Sequence, residues 1–192
     1  MKNPEKIKTI VLGIGNILLG DEGIGVQIVK RLQEEDIPPG VLVIDGSTAG
    51  FRLFPLFETY RNSKFIILDA IRIPSDFCAC ADKASDKKDT KNATGKGSLY
   101  EIPLKDFYDN AGSEYPGTGF ISFHQTTLMD VLNLFYLSYK IKIDGYFIGI
   151  NINGNDNKDG TFSFSTELSE AIVKKIPKIV ELVMKNIALL AG

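Results

Sequence analysis

At 192 residues, with 22 basic against 24 acidic side chains and a formal net charge of −2, the chain has the size of a single domain, 1–192, and can bury roughly 70% of the surface its unfolded form exposes. Charges this nearly balanced, with no basic run interleaved with aromatics, argue against a nucleic-acid partner. No uninterrupted apolar run approaches the ~18 residues a bilayer span needs, and Asn16 and two glycines break the apolar stretch near the N-terminus, so a soluble, cytoplasmic protein without membrane insertion is expected.

Ile7, Ile10, Val11 and Leu12 form a strand that runs into Gly13, and Ile24, Ile28, Val29 and Leu32 recur at helical spacing, which makes a first βα unit. Between them lies Leu12-Gly13-Ile14-Gly15-Asn16-Ile17-Leu18-Leu19-Gly20-Asp21-Glu22-Gly23-Ile24-Gly25. It begins like a dinucleotide loop, but that fingerprint needs a third glycine where this chain has Leu18. Asp21 and Glu22 at the helix start would repel a phosphate, whereas they could hold a cation or cap the helix. A nucleotide-binding domain is therefore a minor alternative.

Val41-Leu42-Val43-Ile44 is a second strand that ends at Asp45-Gly46-Ser47-Thr48, and Phe51, Leu53, Phe54, Leu56 and Phe57 follow as a helical crossover. Phe65-Ile66-Ile67-Leu68 suits a parallel strand covered on both faces and ends at Asp69-Ala70. Ligands of open α/β sheets bind beyond the carboxyl ends of the strands, so Asp21 or Glu22, Asp45 and Asp69 could share one crevice. Single strand-end aspartates often only cap helices; three at equivalent places favour a site.

From Ser75 to Lys96 the apolar pattern gives way to lysine, aspartate, serine, asparagine and threonine, the composition of a flexible insertion at 75–96. Its Cys78 and Cys80 are too few for a disulfide framework and are expected bystanders. Ser98 to Ile102 forms a strand, and a loose stretch from Asp109 to Gly119 leads to Ser122 and Gln125, spaced as a capping box. Leu128, Val131, Leu132, Phe135 and Tyr136 mark the buried face of the helix that follows. Tyr146 to Ile152 is the last strand, and a closing helix from about Thr166 buries Leu168, Ile172, Ile176, Ile179, Val180, Val183 and Ile187, with Pro177 as a candidate kink. No internal repeat is present.

His124, the only histidine, falls near the second position of the capped helix. The partial positive charge of a helix N-terminus disfavours imidazolium and leaves a lone pair for a metal. The bland alternative is a half-exposed histidine with backbone bonds. One imidazole with two carboxylates suits nickel, zinc, cobalt, manganese or iron with open positions, and ligand type alone does not choose among them.

The segment Leu12 to Gly25, followed by Asp45-Gly46-Ser47-Thr48-Ala49-Gly50, Leu68-Asp69-Ala70 and Ser122-Phe123-His124-Gln125, resembles the hydrogenase maturation proteases in order and spacing. The resemblance covers most of the chain outside the loops. It implies a three-layer αβα sandwich around a mostly parallel sheet of about five strands. It also implies an endopeptidase that trims the C-terminal extension of a nickel-iron hydrogenase large-subunit precursor. The metal contacts it implies are Glu22, Asp69 and His124, and the metal is nickel already carried by the precursor, so that cleavage waits for nickel insertion. No motif supports a serine or cysteine nucleophile, so water is the expected attacking group, with Asp21 and Asp45 as candidate catalytic bases. Asp45 could instead only order its turn. The chain departs from the family in carrying Ser47 where a second glycine is usual and in a longer polar insertion before His124. A non-hydrolytic nickel-binding or chaperone module for hydrogenase assembly is the alternative of a different class.

Overall fold

The computed structural model describes residues 6–48, 50–73, 95–109, 128–153 and 164–191. The Cys78–Cys80 pair, the Ser122–Gln125 capping box and most of the expected insertion lie outside them. Among the described residues five strands form one sheet: β1 (Thr9–Ile14), β2 (Val41–Ser47), β3 (Lys64–Ile71), β4 (Leu99–Pro103) and β5 (Asp144–Asn151), in the order β2-β1-β3-β5-β4. β2, β1, β3 and β5 pair in parallel, and β4 runs antiparallel on the β5 edge. The expected α/β architecture with a mostly parallel sheet is therefore observed.

The described helices are α1 (Ile24–Leu32), α2 (Leu53–Thr59), α3 (Asp106–Asp109), α4 (Leu128–Tyr139), α5 (Glu170–Val173) and α6 (Ile176–Ala191). Strand alternation divides the core between the two sheet faces. Val11, Ile66, Leu68, Ile148 and Ile150 pack with Ile24 and Ile28 of α1 and Ile179, Val183 and Ile187 of α6. Ile10, Leu12, Phe65 and Ile67 meet Leu53 and Phe57 of α2 and Val131, Leu132 and Phe135 of α4 on the opposite face. Rings fill that second layer, with Phe57 edge-on to Phe65 at 5.2 Å and Phe54 edge-on to Phe135 at 5.5 Å.

Backbone contact seats α1. A Cβ on Gly25 would lie 2.3 Å from the Ile14 carbonyl oxygen and 2.4 Å from that of Leu68, so only glycine lets the helix approach β1 and β3 this closely. Gly15 has φ +148°, and a Cβ there would meet the Glu22 carbonyl oxygen at 2.2 Å. The loop's glycines thus serve backbone packing within the protein. They wrap the chain around a 3-10 turn, Gly20–Gly23, that carries the two carboxylates.

Three element boundaries differ notably from expectation. β2 continues through Asp45 to Ser47 and β3 through Asp69 to Ile71, because ladder pairing needs backbone groups and tolerates a carboxylate that the apolar pattern treats as a stop. The closing helix is two helices, broken at Lys174 and Lys175, and Pro177 sits at the second residue of α6. In the first turn its missing N–H costs no helical bond, so the proline starts a helix and does not kink one.

Candidate functional site

Glu22 and Asp69 come together at the carboxyl end of the sheet. The turn after β1 lies against β3, whose sixth residue is Asp69. Glu22 is 5% exposed and Asp69 3%. Asp69 accepts a hydrogen bond at Oδ1 from the Ala70 N–H at 2.8 Å. Burial pushes its carboxyl up to about 8, opposed by that N–H bond and reinforced by the negative charge of Glu22. Glu22 Oε1 accepts from Arg72 Nε at 3.1 Å and from Nη2 at 2.8 Å. Two carboxyl groups thus share a dry space in which the charge of Glu22 disfavours ionisation of Asp69, and a divalent cation would offset that repulsion. The donor set of two carboxylates fits a cation of the oxygen- and nitrogen-binding class. Among the described residues no three His, Cys, Asp or Glu side chains gather as a metal group. His124, the third contact implied by the resemblance, lies outside those residues.

Asp21, next in the chain to Glu22, has other partners. Its Oδ1 accepts from the Ser169 N–H at 2.7 Å, and its Oδ2 from the Ser169 hydroxyl and from Lys96 Nζ, both at 2.8 Å. Ser169 is the N-cap residue of α5. The Asp21 and Lys96 side chains are only 12% and 14% exposed, so this is a largely buried ion pair that ties the turn to the stem before β4, while the Ser169 bonds latch it to α5.

Asp45 is exposed and orders its own turn: Oδ1 accepts from the Ser47 N–H at 2.8 Å and from the Ser47 hydroxyl at 3.1 Å. Ser47 has φ 50°, the left-handed region in which glycine is at ease, and these local bonds offset the cost of a side chain there. The described hydrogen bonds of Asp45 stay within its own turn and do not join it to Glu22 or Asp69. Val41 and Val43 pack on the α1–α6 face, so alternation sends Asp45 to that side of the sheet, whereas Asp69, following Phe65 and Ile67, falls on the α2–α4 side.

Arg72, Lys96 and Asn151 escaped sequence reading. Asn151, fully buried, accepts at Oδ1 from the Ile73 N–H at 3.4 Å and from the Asn153 N–H at 3.1 Å, and its Nδ2 donates to the Gly95 carbonyl at 3.4 Å. The chain on either side of 74–94 is thereby tied to one amide. Gly95 and Lys96, assigned to the flexible insertion, belong to this anchored stem. An asparagine closing an apolar strand was the available signal.

No protein-family model matches the chain. It is 47% identical over 66 residues to the hydrogenase 2 maturation protease of Escherichia coli strain K12, a stretch covering 34% of this chain and 39% of that protein. It is 42% identical over 69 residues to the hydrogenase expression/formation protein HupD of Rhodobacter capsulatus, covering 35% and 31%. These matches span well under half the length of the curated relatives. The solved structure of the hydrogenase maturating endopeptidase HybD from E. coli superposes over 93% of this chain and 91% of that one, with a TM-score of 0.63 and 25% identity. In fold over nine-tenths of its length, and in sequence over about a third of it, this chain is similar to the hydrogenase maturation proteases.

Proposed function

We propose that this protein is an endopeptidase that removes the C-terminal extension of a nickel-iron hydrogenase large-subunit precursor after nickel has been installed. The observation that carries the reading is the buried Glu22–Asp69 pair, with Glu22 held on a glycine-packed turn against β3, in a chain that shares the fold of a hydrogenase maturating endopeptidase. Nickel enters as part of the substrate. Glu22 and Asp69 offer it hard oxygen donors, and His124 is assigned as the third contact on the resemblance. A protease supplying so few ligands binds well only to a metal that brings the rest, so metal contact doubles as a check that insertion is complete.

In the proposed cleavage, water adds to the scissile carbonyl carbon and loses a proton to a base; the carbon–nitrogen bond then breaks as the leaving nitrogen takes up a proton. Of the two candidate bases, both oxygens of Asp21 already accept hydrogen bonds, while the Asp45 carboxyl is exposed and bonded through Oδ1. Asp45→Asn keeps that Oδ1 acceptor and removes the basicity. It therefore separates the turn role from the chemical one in a single-turnover assay.

The decisive experiment incubates the protein with nickel-loaded and with nickel-free precursor and weighs the products by mass spectrometry. The loaded precursor is expected to lose its extension and the nickel-free one to keep it. Stable complex formation with no change of precursor mass would establish the non-hydrolytic chaperone alternative instead.

A further inference from the structure

We infer that Arg72 is a positioning residue for Glu22: an internal cation that occupies this carboxylate until metal arrives and so sets how readily the site accepts a bare ion. The inference rests on the reading of Glu22 as a metal contact. Both Nε and Nη2 of Arg72 converge on the same oxygen, Glu22 Oε1, at 3.1 and 2.8 Å. The pair is lopsided, with the Glu22 side chain 7% exposed and that of Arg72 36%. The acid is fixed inside, and the guanidinium reaches it from the rim.

A guanidinium does not lose its proton under physiological conditions, so Arg72 can release Glu22 only by moving. Its exposure gives it room to do so. It also stands one residue beyond β3 and three after Asp69, so the chain segment that supplies one carboxylate of the pair supplies the counter-charge of the other. A dissolved divalent ion must break two charge-assisted hydrogen bonds before it gains the full charge of Glu22. A metal carried by a docked precursor pays this cost from the binding energy of the whole complex. Arg72 thereby favours metal delivered on a substrate over metal free in solution.

Calorimetric titration of Ni²⁺ into the metal-free protein tests this, with thermal unfolding as a check on folding. Arg72→Gln is expected to bind Ni²⁺ at least about tenfold more tightly than the wild type, since neither of the two charge-assisted hydrogen bonds then has to be broken. Arg72→Lys keeps the charge without the fork and should fall between the two. The gain should vanish when Arg72→Gln is combined with Glu22→Gln, since Arg72 acts through that carboxylate. A structural prop would give the opposite sign. Unchanged or weaker binding by folded Arg72→Gln and Arg72→Lys, with Glu22→Gln still impairing the wild type, overturns the role of Arg72 and leaves Glu22 as a contact. Wild-type Ni²⁺ affinity in Glu22→Gln itself overturns both.

Discussion

The two carboxylates of the turn after β1 sit side by side in the chain and spend their lone pairs in contrasting ways. Asp21 accepts from a main-chain N–H, a hydroxyl and an ammonium, all fixed to other parts of the fold. Glu22 faces a rim guanidinium on one side and the buried carboxyl of Asp69 on the other. A buried acid surrounded by donors holds a structure together. A buried acid set between another acid and a guanidinium at the rim can exchange that counter-charge for an incoming cation. The contrast separates a latch from a reserve of negative charge, although the two groups have nearly the same chemistry and adjacent positions.

Substitution should break this contrast in opposite directions. The largest effect is expected on processing: Glu22→Gln and Asp69→Asn remain folded but leave nickel-loaded precursor at full mass, and His124→Ala does the same if it is the third contact. Next in size is stability. Asp21→Ala removes the largely buried carboxylate shared by Lys96 and both Ser169 donors, a loss of about 3 kcal/mol in urea unfolding. Lys96→Met should cost less, since Ser169 still bonds Asp21.

Asp69 sharpens the comparison through pH. Its carboxyl ionises near 3.8 in an ordinary setting and at about 8 in the fold. Between these values the folded state keeps a proton that the unfolded state has lost, so this group makes stability fall as pH rises from about 4 to about 8. Asp69→Asn retains an Oδ1 acceptor for the Ala70 N–H and removes that slope. Its stability relative to the wild type should be greater at pH 8 than at pH 5 by roughly 2–4 kcal/mol in denaturant unfolding of the metal-free protein. The smallest effect belongs to Asp45→Ala, which removes local bonds from an exposed turn and should cost about 1 kcal/mol.

The parallel strands of the sheet were legible because each holds a continuous apolar run, and the α1 face because Ile24, Ile28, Val29 and Leu32 keep helical spacing. The ends of β2 and β3 were misjudged where an aspartate interrupts the apolar run while the backbone ladder carries on. The break between α5 and α6 was hidden because Ile172, Ile176 and Ile179 keep helical spacing across it. Glu22 and Asp69 could be nominated from their motifs, and Asp45 could be suspected of serving its turn from the Asx chemistry of Asp-Gly-Ser. The Arg72–Glu22 and Lys96–Asp21 pairs were out of reach, since each joins residues distant in sequence whose meeting depends on the order in which the strands are laid down.

Asn151 bears on how this molecule can be altered. Because one buried amide fastens the chain both at Ile73 and at Gly95, whatever length of polypeptide lies between is spliced onto the sheet at a single socket. Closing a longer or shorter excursion across a fixed gap changes the chain entropy only slowly with length. Altering the length of that segment is therefore expected to leave the stem that carries Arg72 and Lys96, and the register of the sheet, in place.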